Sequence, residues 1–277
     1  MIQLKTDAEI ELMRQSGQLL AKTIAEVGKL IRPGVTLAAL DQVAETFIRD
    51  HNAVPAFKGY QTAAPTPFPG TLCTSINDVV VHGIPDKTVL KEGDIVSIDC
   101  GVVLNSYYAD SAFTFPVGEI SEELKNLLRV TRKSLELAVA QAKPGNRIGD
   151  IGAAVQDYCE RVHGYGVVRE MVGHGIGKKM HEPPEVPNYG KKGNGVKLQA
   201  GMTIAIEPMI NLGKRAIAQD EDGWTIFATD RKPSAHYEYT VAIRKNGPDV
   251  LTPFTFIDEA VKLDWLHQAD AATAGSR

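Results

Sequence analysis

The fold is decided by residues 94–115, which read Asp94-Ile-Val-Ser-Ile-Asp99-Cys-Gly-Val-Val-Leu-Asn-Ser-Tyr-Tyr-Ala-Asp110-Ser-Ala-Phe-Thr-Phe115. Two apolar runs each carry one aspartate, and Leu104-Asn105 is the turn-like point between them. A β-hairpin centred there places Asp99 directly opposite Asp110 on one face of the sheet. Like charges at that spacing destabilise a sheet unless a cation neutralises them, and one or two divalent ions would do so. If the turn lies one residue away, both aspartates are solvated instead, and this stretch alone leaves both interpretations open.

The composition is that of an ordinary globular protein. The chain has 277 residues, of which 43% are hydrophobic and 23% charged, and its formal net charge is -4. That length suits a large core in at most two domains, and the charge gives no reason to bind nucleic acid or an anionic membrane. Because there is neither a long apolar run nor a signal-peptide pattern, we expect a cytoplasmic protein without a membrane span. The cysteines are odd in number and widely spaced, which predicts reduced, buried thiols at Cys73, Cys100 and Cys159.

Helical periodicity predicts two helices before the hairpin and two after it. The first begins at Thr6, whose spacing to Glu9 is that of a capping box, and the second begins near Thr36. After the hairpin, Ser121 caps a third helix and a fourth begins near Ile148. Helices and strands therefore recur in the same order along the chain.

An internal repeat relates residues 7–115 to residues 121–243. Its closest match is between the runs that end in Asp99 and Glu207. In each run the acid lies at the end of an apolar strand, six residues after a glycine. The predicted fold class is α+β, with two halves of antiparallel strands that form a curved sheet covered by helices. A pseudo-twofold axis between the halves would bring the two acids together.

The repeat also pairs His82 with His174, since each begins a similar glycine-containing segment. Because the two halves share one axis, we expect residues 1–265 to form a single domain. The alanine-rich residues 266–277 are predicted to be a frayed C-terminal tail.

Four carboxylates and one imidazole form a candidate metal site. Glu238 stands in a core-like strand, where an acid is costly without a partner. It joins Asp99, Asp110, His174 and Glu207. Such an oxygen-rich set suits a pair of divalent ions such as Mn, Co, Fe or Zn better than a structural zinc, which prefers Cys and His. The absence of His-Glu-x-x-His argues against a helix-borne single-zinc protease.

These motifs together resemble those of the type I methionine aminopeptidases, whose pita-bread fold is shared with prolidase, aminopeptidase P and creatinase. The resemblance covers roughly residues 3–250 and implies the pita-bread fold. It rests on Val81-His82-Gly-Ile-Pro85, the spacing of Asp99 and Asp110, Gly173-His174-Gly-Ile-Gly177 through His181-Glu-Pro-Pro184, Glu207-Pro-Met209, Asp222-Gly-Trp224-Thr225, and Ser234-Ala235 before Glu238. It implies a metalloaminopeptidase that removes the initiator methionine from nascent polypeptides with a small second residue. A metal-bound water or hydroxide would attack the scissile carbonyl.

The resemblance also implies roles for individual residues. Two divalent ions (Co, Mn, Fe or Zn) would be bridged by two of the acids and held by Asp99, Asp110, His174, Glu207 and Glu238. The bridging acids would be Asp110 and Glu238. His181 would hydrogen-bond the scissile carbonyl oxygen, and His82 would lie by the substrate amine or the peptide nitrogen. Glu207 would also act as general base towards the metal-bound water.

The pocket for the methionine side chain would be lined, by the same resemblance, by Tyr60, Cys73, Met180 and Trp224, each of which is individually more typical of plain core. The chain departs from the usual pattern with Met180 for phenylalanine, His236 for glutamine, Tyr239 for histidine and Ala109 for glycine. The proline-rich loop after Tyr60, within residues 61–70, is longer than in short bacterial members. These differences leave the ligands intact and bear on the shape of the pocket.

Other functions fit the sequence less well. Prolidase and creatinase carry a large N-terminal domain before the first metal aspartate, for which the residues before Asp99 leave no room. Type II methionine aminopeptidases carry a helical insertion between the second histidine and the following ligand glutamate, but in this chain only 25 residues separate His181 from Glu207. A metal-dependent phosphoesterase is disfavoured because no arginine accompanies the acids. An inactive relative that binds the ribosome through Lys178-Lys179 and Lys191-Lys192 is disfavoured because all five ligands are kept. The expected partners are nascent polypeptide N-termini, with transient ribosome contact. We expect a monomer with no nucleic acid as substrate and no membrane association.

Overall fold

The structure, a computed structural model, describes residues 2–268. Its α-helices are α1 Asp7–Gly28, α2 Leu37–Asp50, α3 Glu122–Val139, α4 Ile148–Gln156 and α5 Thr255–Val261. A π-helical segment, Asp157–Val162, continues α4, and a 3₁₀-helix spans Asp264–His267. Helix starts agree with the sequence prediction at Thr6, Thr36 and Ser121, whose side chains each accept a hydrogen bond from the backbone N–H three residues along.

The strands pair in antiparallel sheets. In chain order they are β1 Val54–Pro55, β2 Leu72–Ile76, β3 Val79–Val81, β4 Ile95–Leu104, β5 Tyr107–Pro116, β6 Gly166–Val167, β7 Gly173–Gly175, β8 Glu182–Val186, β9 Thr203–Ile206, β10 Met209–Asn211, β11 Ile217–Gln219, β12 Ile226–Ala228, β13 Ser234–His236, β14 Tyr239–Arg244 and β15 Gly247–Val250. One large sheet has the order β1-β4-β2 with β5 beside β4, and the other has the order β15-β14-β9-β7-β8. Two smaller sheets have the orders β13-β10-β6 and β11-β12-β3.

The two large sheets meet where β5 lies against β14. The backbone N–H of Asp110 donates to the Thr240 hydroxyl (3.0 Å), and that hydroxyl donates back to the Asp110 carbonyl (2.8 Å). The N–H of Glu238 donates to the carbonyl of Ala112 (2.9 Å). These bonds hold the middle of β5, from the first half, against the second half, so acids from both halves lie side by side.

The same hydrogen bonds recur in the two halves. The N–H of Gly34, in the turn before α2, donates to the carbonyl of Leu90 (2.9 Å), and the N–H of Gly145, in the turn before α4, donates to the carbonyl of Leu198 (3.1 Å). Both glycines have a left-handed backbone, with φ of 92° and 96°, which a glycine adopts without strain. Equivalent turns thus place equivalent helices on the two halves.

The hairpin between β4 and β5 turns at Asn105-Ser106, one residue later than predicted. Both turn residues have positive φ, 53° and 67°, as a two-residue type I′ turn requires. Asp99 therefore pairs with Ala112 and Asp110 with Gly101, so the predicted direct pairing of the aspartates is wrong. Moving the turn by one residue, however, changes the cross-strand partner of each residue by two positions. Because strand side chains alternate between the two faces with a period of two, every residue keeps its predicted face. The aspartates are thus diagonal neighbours on one face, and both are buried rather than solvated.

The main hydrophobic core takes side chains from both halves, including Leu40 and Phe113 from the first and Leu135 and Ile204 from the second. The three cysteines are free and buried, as predicted. The frayed tail does not begin at residue 266 as predicted, because Leu266 is buried against this core within the 3₁₀-helix. The remainder of that tail, residues 269–277, lies outside the described residues. Within residues 2–268, no helix has the length and apolar character needed to cross a membrane.

Candidate metal centre and substrate cavity

A cavity of about 220 Å³ lies where the two halves meet. Its polar part is lined by Asp99, Asp110, His174, Glu207, Glu238, His82 and His181. Its other part, the apolar compartment, is lined by Phe57, Tyr60, Thr62, Phe68, Cys73 and Trp224. The structure therefore brings every site residue predicted from the sequence to one cavity, with the exception of Met180.

The candidate ligands come from separate strands that converge on the polar part. Asp99 lies on β4 and Asp110 on β5, His174 lies on β7, Glu207 follows β9, and Glu238 lies between β13 and β14. One ligand atom each from Asp110, His174 and Glu238 lie within 4.8 Å of one another. His174 Nε2 is also 3.7 Å from Glu207 Oε1 and 3.8 Å from Asp110 Oδ2. These spacings match donors that surround a common centre.

Burial makes the acid cluster electrostatically costly. The exposed fractions of Asp99, Asp110 and Glu238 are 9%, 5% and 2%. Burial raises the pKa of Asp110 to about 7. Burial, reinforced by the charges of the neighbouring carboxylates, also raises the pKa values of Asp99, Glu207 and Glu238 well above their ordinary range. A cation is needed if all four groups are to be ionised together near neutral pH.

His174 is prepared to act as a nitrogen ligand. Its Nδ1 lies 2.9 Å from the carbonyl oxygen of Gly175, so the ring proton is on Nδ1 and is donated to that carbonyl. Burial lowers the pKa of His174 to about 4, which keeps the ring neutral. The unprotonated Nε2 therefore faces the carboxylates, in the arrangement that a metal-binding histidine needs.

The carboxylates fit a divalent metal centre for a second reason. Within residues 2–268, Asp99 Oδ1, Asp110 Oδ1 and Glu238 Oε1 are buried and have no hydrogen-bond partner. A buried polar atom without a partner costs free energy of folding, and coordination to a cation supplies one. Four carboxylates and one neutral imidazole are donors that Mn, Co, Fe and Zn accept.

Two further histidines lie at the same centre. The His181 ring is 4.3 Å from the His174 ring between centroids, and its Nδ1 lies 2.6 Å from the Tyr60 hydroxyl. His82 has a left-handed backbone with φ of 60°, which is uncommon outside glycine and is often found at functional sites. Burial lowers the pKa of His82 to about 4 and lowers that of His181. Both rings are therefore neutral near pH 7.

The apolar compartment differs from its sequence prediction. Met180 does not line the cavity but is buried in a cluster with Ile10 and Met13, against which the cavity residues Phe57 and Tyr60 pack. Three lining residues were missed, namely Phe57, Thr62 and Phe68. Their only sequence signal is two aromatic residues on either side of a proline-rich loop, which does not reveal where the loop lies. Tyr60, Cys73 and Trp224 line the apolar compartment.

The residues at which this chain departs from the usual pattern lie at different distances from the candidate metal centre. His236 is buried, and its Nε2 lies 3.9 Å from Glu207 Oε2 and 4.0 Å from Glu238 Oε2. Tyr239 instead packs on Phe254, with ring centroids 4.1 Å apart. Ala109 is in the main core. Of these three residues, only His236 approaches the candidate ligands.

Comparison with known families classifies the chain. The model described as "Metallopeptidase family M24" matches residues 11–245, which is most of its length. The chain belongs to metallopeptidase family M24. Every residue of the polar part of the cavity lies inside the M24 match.

Relatives of known name agree with this M24 assignment. The methionine aminopeptidase of Clostridium acetobutylicum is 52% identical to this chain over 91% of it and 99% of the relative. Methionine aminopeptidase 1 of Bacillus subtilis is 47% identical with the same coverage of 91% and 99%. These relatives confirm the resemblance that the motifs indicated.

Solved structures confirm the pita-bread fold. The methionine aminopeptidase from Rickettsia prowazekii matches with a TM-score of 0.88 and 39% identity, over 91% of this chain and 100% of that one. The methionine aminopeptidase from Thermotoga maritima matches with a TM-score of 0.87 and 44% identity, over 91% and 99%. The prolidase from Pyrococcus furiosus, at 23% identity and a TM-score of 0.71, shares the fold over 90% of this chain and 65% of its own.

Proposed function

We propose that this protein is a metal-dependent aminopeptidase that removes the initiator methionine from nascent polypeptides whose second residue is small. One observation carries the proposal: metal-ligating side chains and an apolar compartment line the same cavity in a chain of family M24. The match covers 99% of the length of two relatives that are named methionine aminopeptidase. Their names support methionine as the residue removed.

The metal centre of the proposal uses four acids and one histidine. Two divalent ions, of Co, Mn, Fe or Zn, would be held by Asp99, Asp110, His174, Glu207 and Glu238. Asp110 and Glu238 would be shared by the two ions, since with His174 they contribute ligand atoms that lie within 4.8 Å of one another. Such ions would polarise the scissile carbonyl, anchor the free α-amine and lower the pKa of a water molecule towards neutrality.

His181 supplies a hydrogen-bond donor to the scissile carbonyl oxygen. The Tyr60 hydroxyl lies 2.6 Å from His181 Nδ1, and in this proposal it donates its proton to that nitrogen. A neutral imidazole has one ring proton, so that proton is then on Nε2. A fixed N–H donor of this kind stabilises the negative charge that develops on the carbonyl oxygen during attack. Tyr60 is therefore a positioning residue that sets the His181 tautomer.

Glu207 accepts the proton of the attacking water as a general base. Burial and the nearby charge of Asp110 raise its pKa, so its carboxylate binds a proton more tightly than a solvated glutamate does. His82, whose ring is neutral and lies 6.5 Å from the Trp224 ring between centroids, positions the substrate amine or the peptide nitrogen.

The apolar compartment receives the methionine side chain. Cys73, Phe68 and Trp224 are buried together there, and their aromatic faces and thiol suit an unbranched thioether. Sulfur and ring edges attract one another at contact distance, which favours methionine over a polar side chain of similar length.

The wider setting follows from this chemistry. A core shared by both halves supports one catalytic domain in residues 1–265, and the proposed enzyme is a monomer. Nascent polypeptide N-termini as substrates place the enzyme in the cytoplasm. The exposed Lys178 and Lys179, next to the cavity residue His181, support a transient contact with the ribosome.

The proposal is tested with short peptides after chelation and reconstitution with Mn, Co, Fe or Zn. Met-Ala-Ser is expected to release methionine, whereas Met-Lys-Ser and N-acetyl-Met-Ala-Ser are not. Glu207→Gln is the control, because it keeps the shape of the side chain and removes the base. Equal rates on Met-Ala-Ser and on proline-containing dipeptides would contradict the proposed substrate.

A further inference from the structure

The proline-rich residues 61–67, the 61–67 loop, contact the apolar compartment closely. The loop begins directly after Tyr60 and ends directly before Phe68, and both of these residues line the cavity. One residue of the loop, Thr62, lines the cavity as well. The proposed function gives the other residues of this loop no role.

The base of the loop is closed by backbone hydrogen bonds. The N–H of Phe68 donates to the carbonyl of Tyr60 (2.9 Å), and the N–H of Gly59 donates to the carbonyl of Phe68 (2.8 Å). The two ends of the loop are therefore held together independently of the residues between them. The loop can be shortened without moving its base.

The outer part of the loop holds the side chain of Trp224. The indole Nε1–H of Trp224 donates to the backbone carbonyl of Thr66 (2.9 Å). The ring also meets Phe68 edge to face, with centroids 5.2 Å apart. Only 7% of Trp224 is exposed, so this indole N–H depends on Thr66 rather than on solvent for its hydrogen bond.

The backbone of Trp224 is fixed separately. Asp222 accepts hydrogen bonds from the backbone N–H groups of Trp224 (2.7 Å) and Thr225 (2.8 Å). Gly223 lies so close to Pro65 of the loop that a Cβ at this glycine would be 2.7 Å from Pro65 Cδ. Asp222 thus sets where the tryptophan backbone lies, while the loop sets the direction of its ring.

We propose that the 61–67 loop determines substrate specificity by fixing the Trp224 ring as a wall of the apolar compartment. This proposal rests on the proposed aminopeptidase function. With the ring held by Thr66, the compartment accepts an unbranched methionine side chain and excludes larger aromatic side chains. Without the loop, the ring is free to turn into the space that the loop occupied, and the compartment becomes larger.

The test replaces residues 61–67 by Asn-Gly, a pair that favours a two-residue turn between the bonded ends. The chain has two tryptophans, so Trp265→Phe leaves Trp224 as the single fluorophore. Trp265 lies near Lys125 and Arg129 outside the cavity, which makes Trp265→Phe a matched control for loss of a tryptophan. The readouts are acrylamide quenching of Trp224 and kcat/KM of the Mn²⁺-loaded enzyme on Met-Ala-Ser and Phe-Ala-Ser.

The loop replacement is expected to increase quenching of Trp224 and to shift its emission to longer wavelength. The preference for Met-Ala-Ser over Phe-Ala-Ser is expected to fall by roughly 10-fold or more, the effect of a changed apolar pocket. In a Trp224→Phe background the same replacement should change this preference much less, because the loop acts through Trp224. The double variant Pro65→Gly/Thr66→Gly keeps the loop length and should change the quenching and the substrate preference in the same direction by a smaller amount. It still tests the proposal if the shortened protein does not fold.

The outcomes separate this proposal from the proposed function. If the unaltered protein cleaves no Met-Ala-Ser, the aminopeptidase function fails and the specificity proposal falls with it. If the unaltered protein cleaves Met-Ala-Ser but both loop variants keep its preference over Phe-Ala-Ser, only the loop proposal is overturned. Unchanged quenching of Trp224 in both loop variants also overturns it, because the loop would then not hold the ring.

Discussion

The acid cluster predicts that Asp110→Asn stabilises the chelated protein at alkaline pH. Burial raises the pKa of Asp110 from 3.8 to about 7 in the folded state. The folded state therefore binds this proton more tightly than the unfolded state, so stability is lost as pH rises from about 4 to about 7. At 1.36 kcal/mol per pKa unit, the loss is about 4 kcal/mol above pH 7. Asparagine does not titrate and avoids this loss.

Urea unfolding of the chelated proteins at pH 8 and pH 4.5 measures the effect. The variant is expected to be more stable than the unaltered protein at pH 8, by up to about 4 kcal/mol, and the difference should shrink towards pH 4.5. Added Mn²⁺ should stabilise the unaltered protein more than the variant, since a ligand is missing. The exposed Asp50→Asn is the matched control and should change stability by less than about 0.5 kcal/mol. A variant that is less stable at pH 8, or that gains equally from Mn²⁺, would refute the reasoning.

Three further predictions concern the hydrogen bonds and ion pairs around the centre. His181→Ala should lower kcat by roughly 10²–10³-fold with unchanged Mn²⁺ affinity by calorimetry, whereas His174→Ala should weaken Mn²⁺ binding by at least roughly 10-fold. An equal loss of affinity in both variants would contradict the division of roles. Tyr60→Phe removes a hydrogen bond worth about 1 kcal/mol and should lower kcat about fivefold with little change in KM; an effect confined to KM would argue against positioning of His181. Lys5→Met leaves Glu182 without its buried partner, 2.5 Å away, and should cost about 3–5 kcal/mol in urea unfolding. The double variant Lys5→Met/Glu182→Leu should recover most of that loss, and no recovery would show that the pair is not the cause.

The acids of the candidate metal site stand out in the sequence because each breaks a strong local pattern. An acid at the end of a buried strand is costly without a partner, and the repeat relates Asp99 to Glu207. The predicted turn was one residue early, yet Asp99 and Asp110 still share a face because strand side chains alternate with a period of two. The face on which a side chain lies was therefore more predictable than its exact partner.

The apolar compartment was less predictable because its residues carry no such pattern. Phe57 and Phe68 look like any core aromatic residues, and they line the cavity only because of how the intervening loop folds back. Met180 follows a glycine-rich segment, and nothing in its sequence pattern separates a place in the cavity lining from its observed place in the cluster with Ile10 and Met13. The bond between Tyr60 and His181 joins residues far apart in the chain, so it required the structure.

The central claim is that the buried acids hold the metal ions on which methionine release depends. The most direct test measures methionine released from Met-Ala-Ser by chelated protein as Mn²⁺ is added, with bound Mn²⁺ determined by calorimetry on the same preparation. Release should be absent in the chelated protein, rise in step with bound Mn²⁺ and stay near zero in Asp110→Asn at the same Mn²⁺ concentration. Release that is independent of bound Mn²⁺, or that persists in Asp110→Asn, would contradict the account.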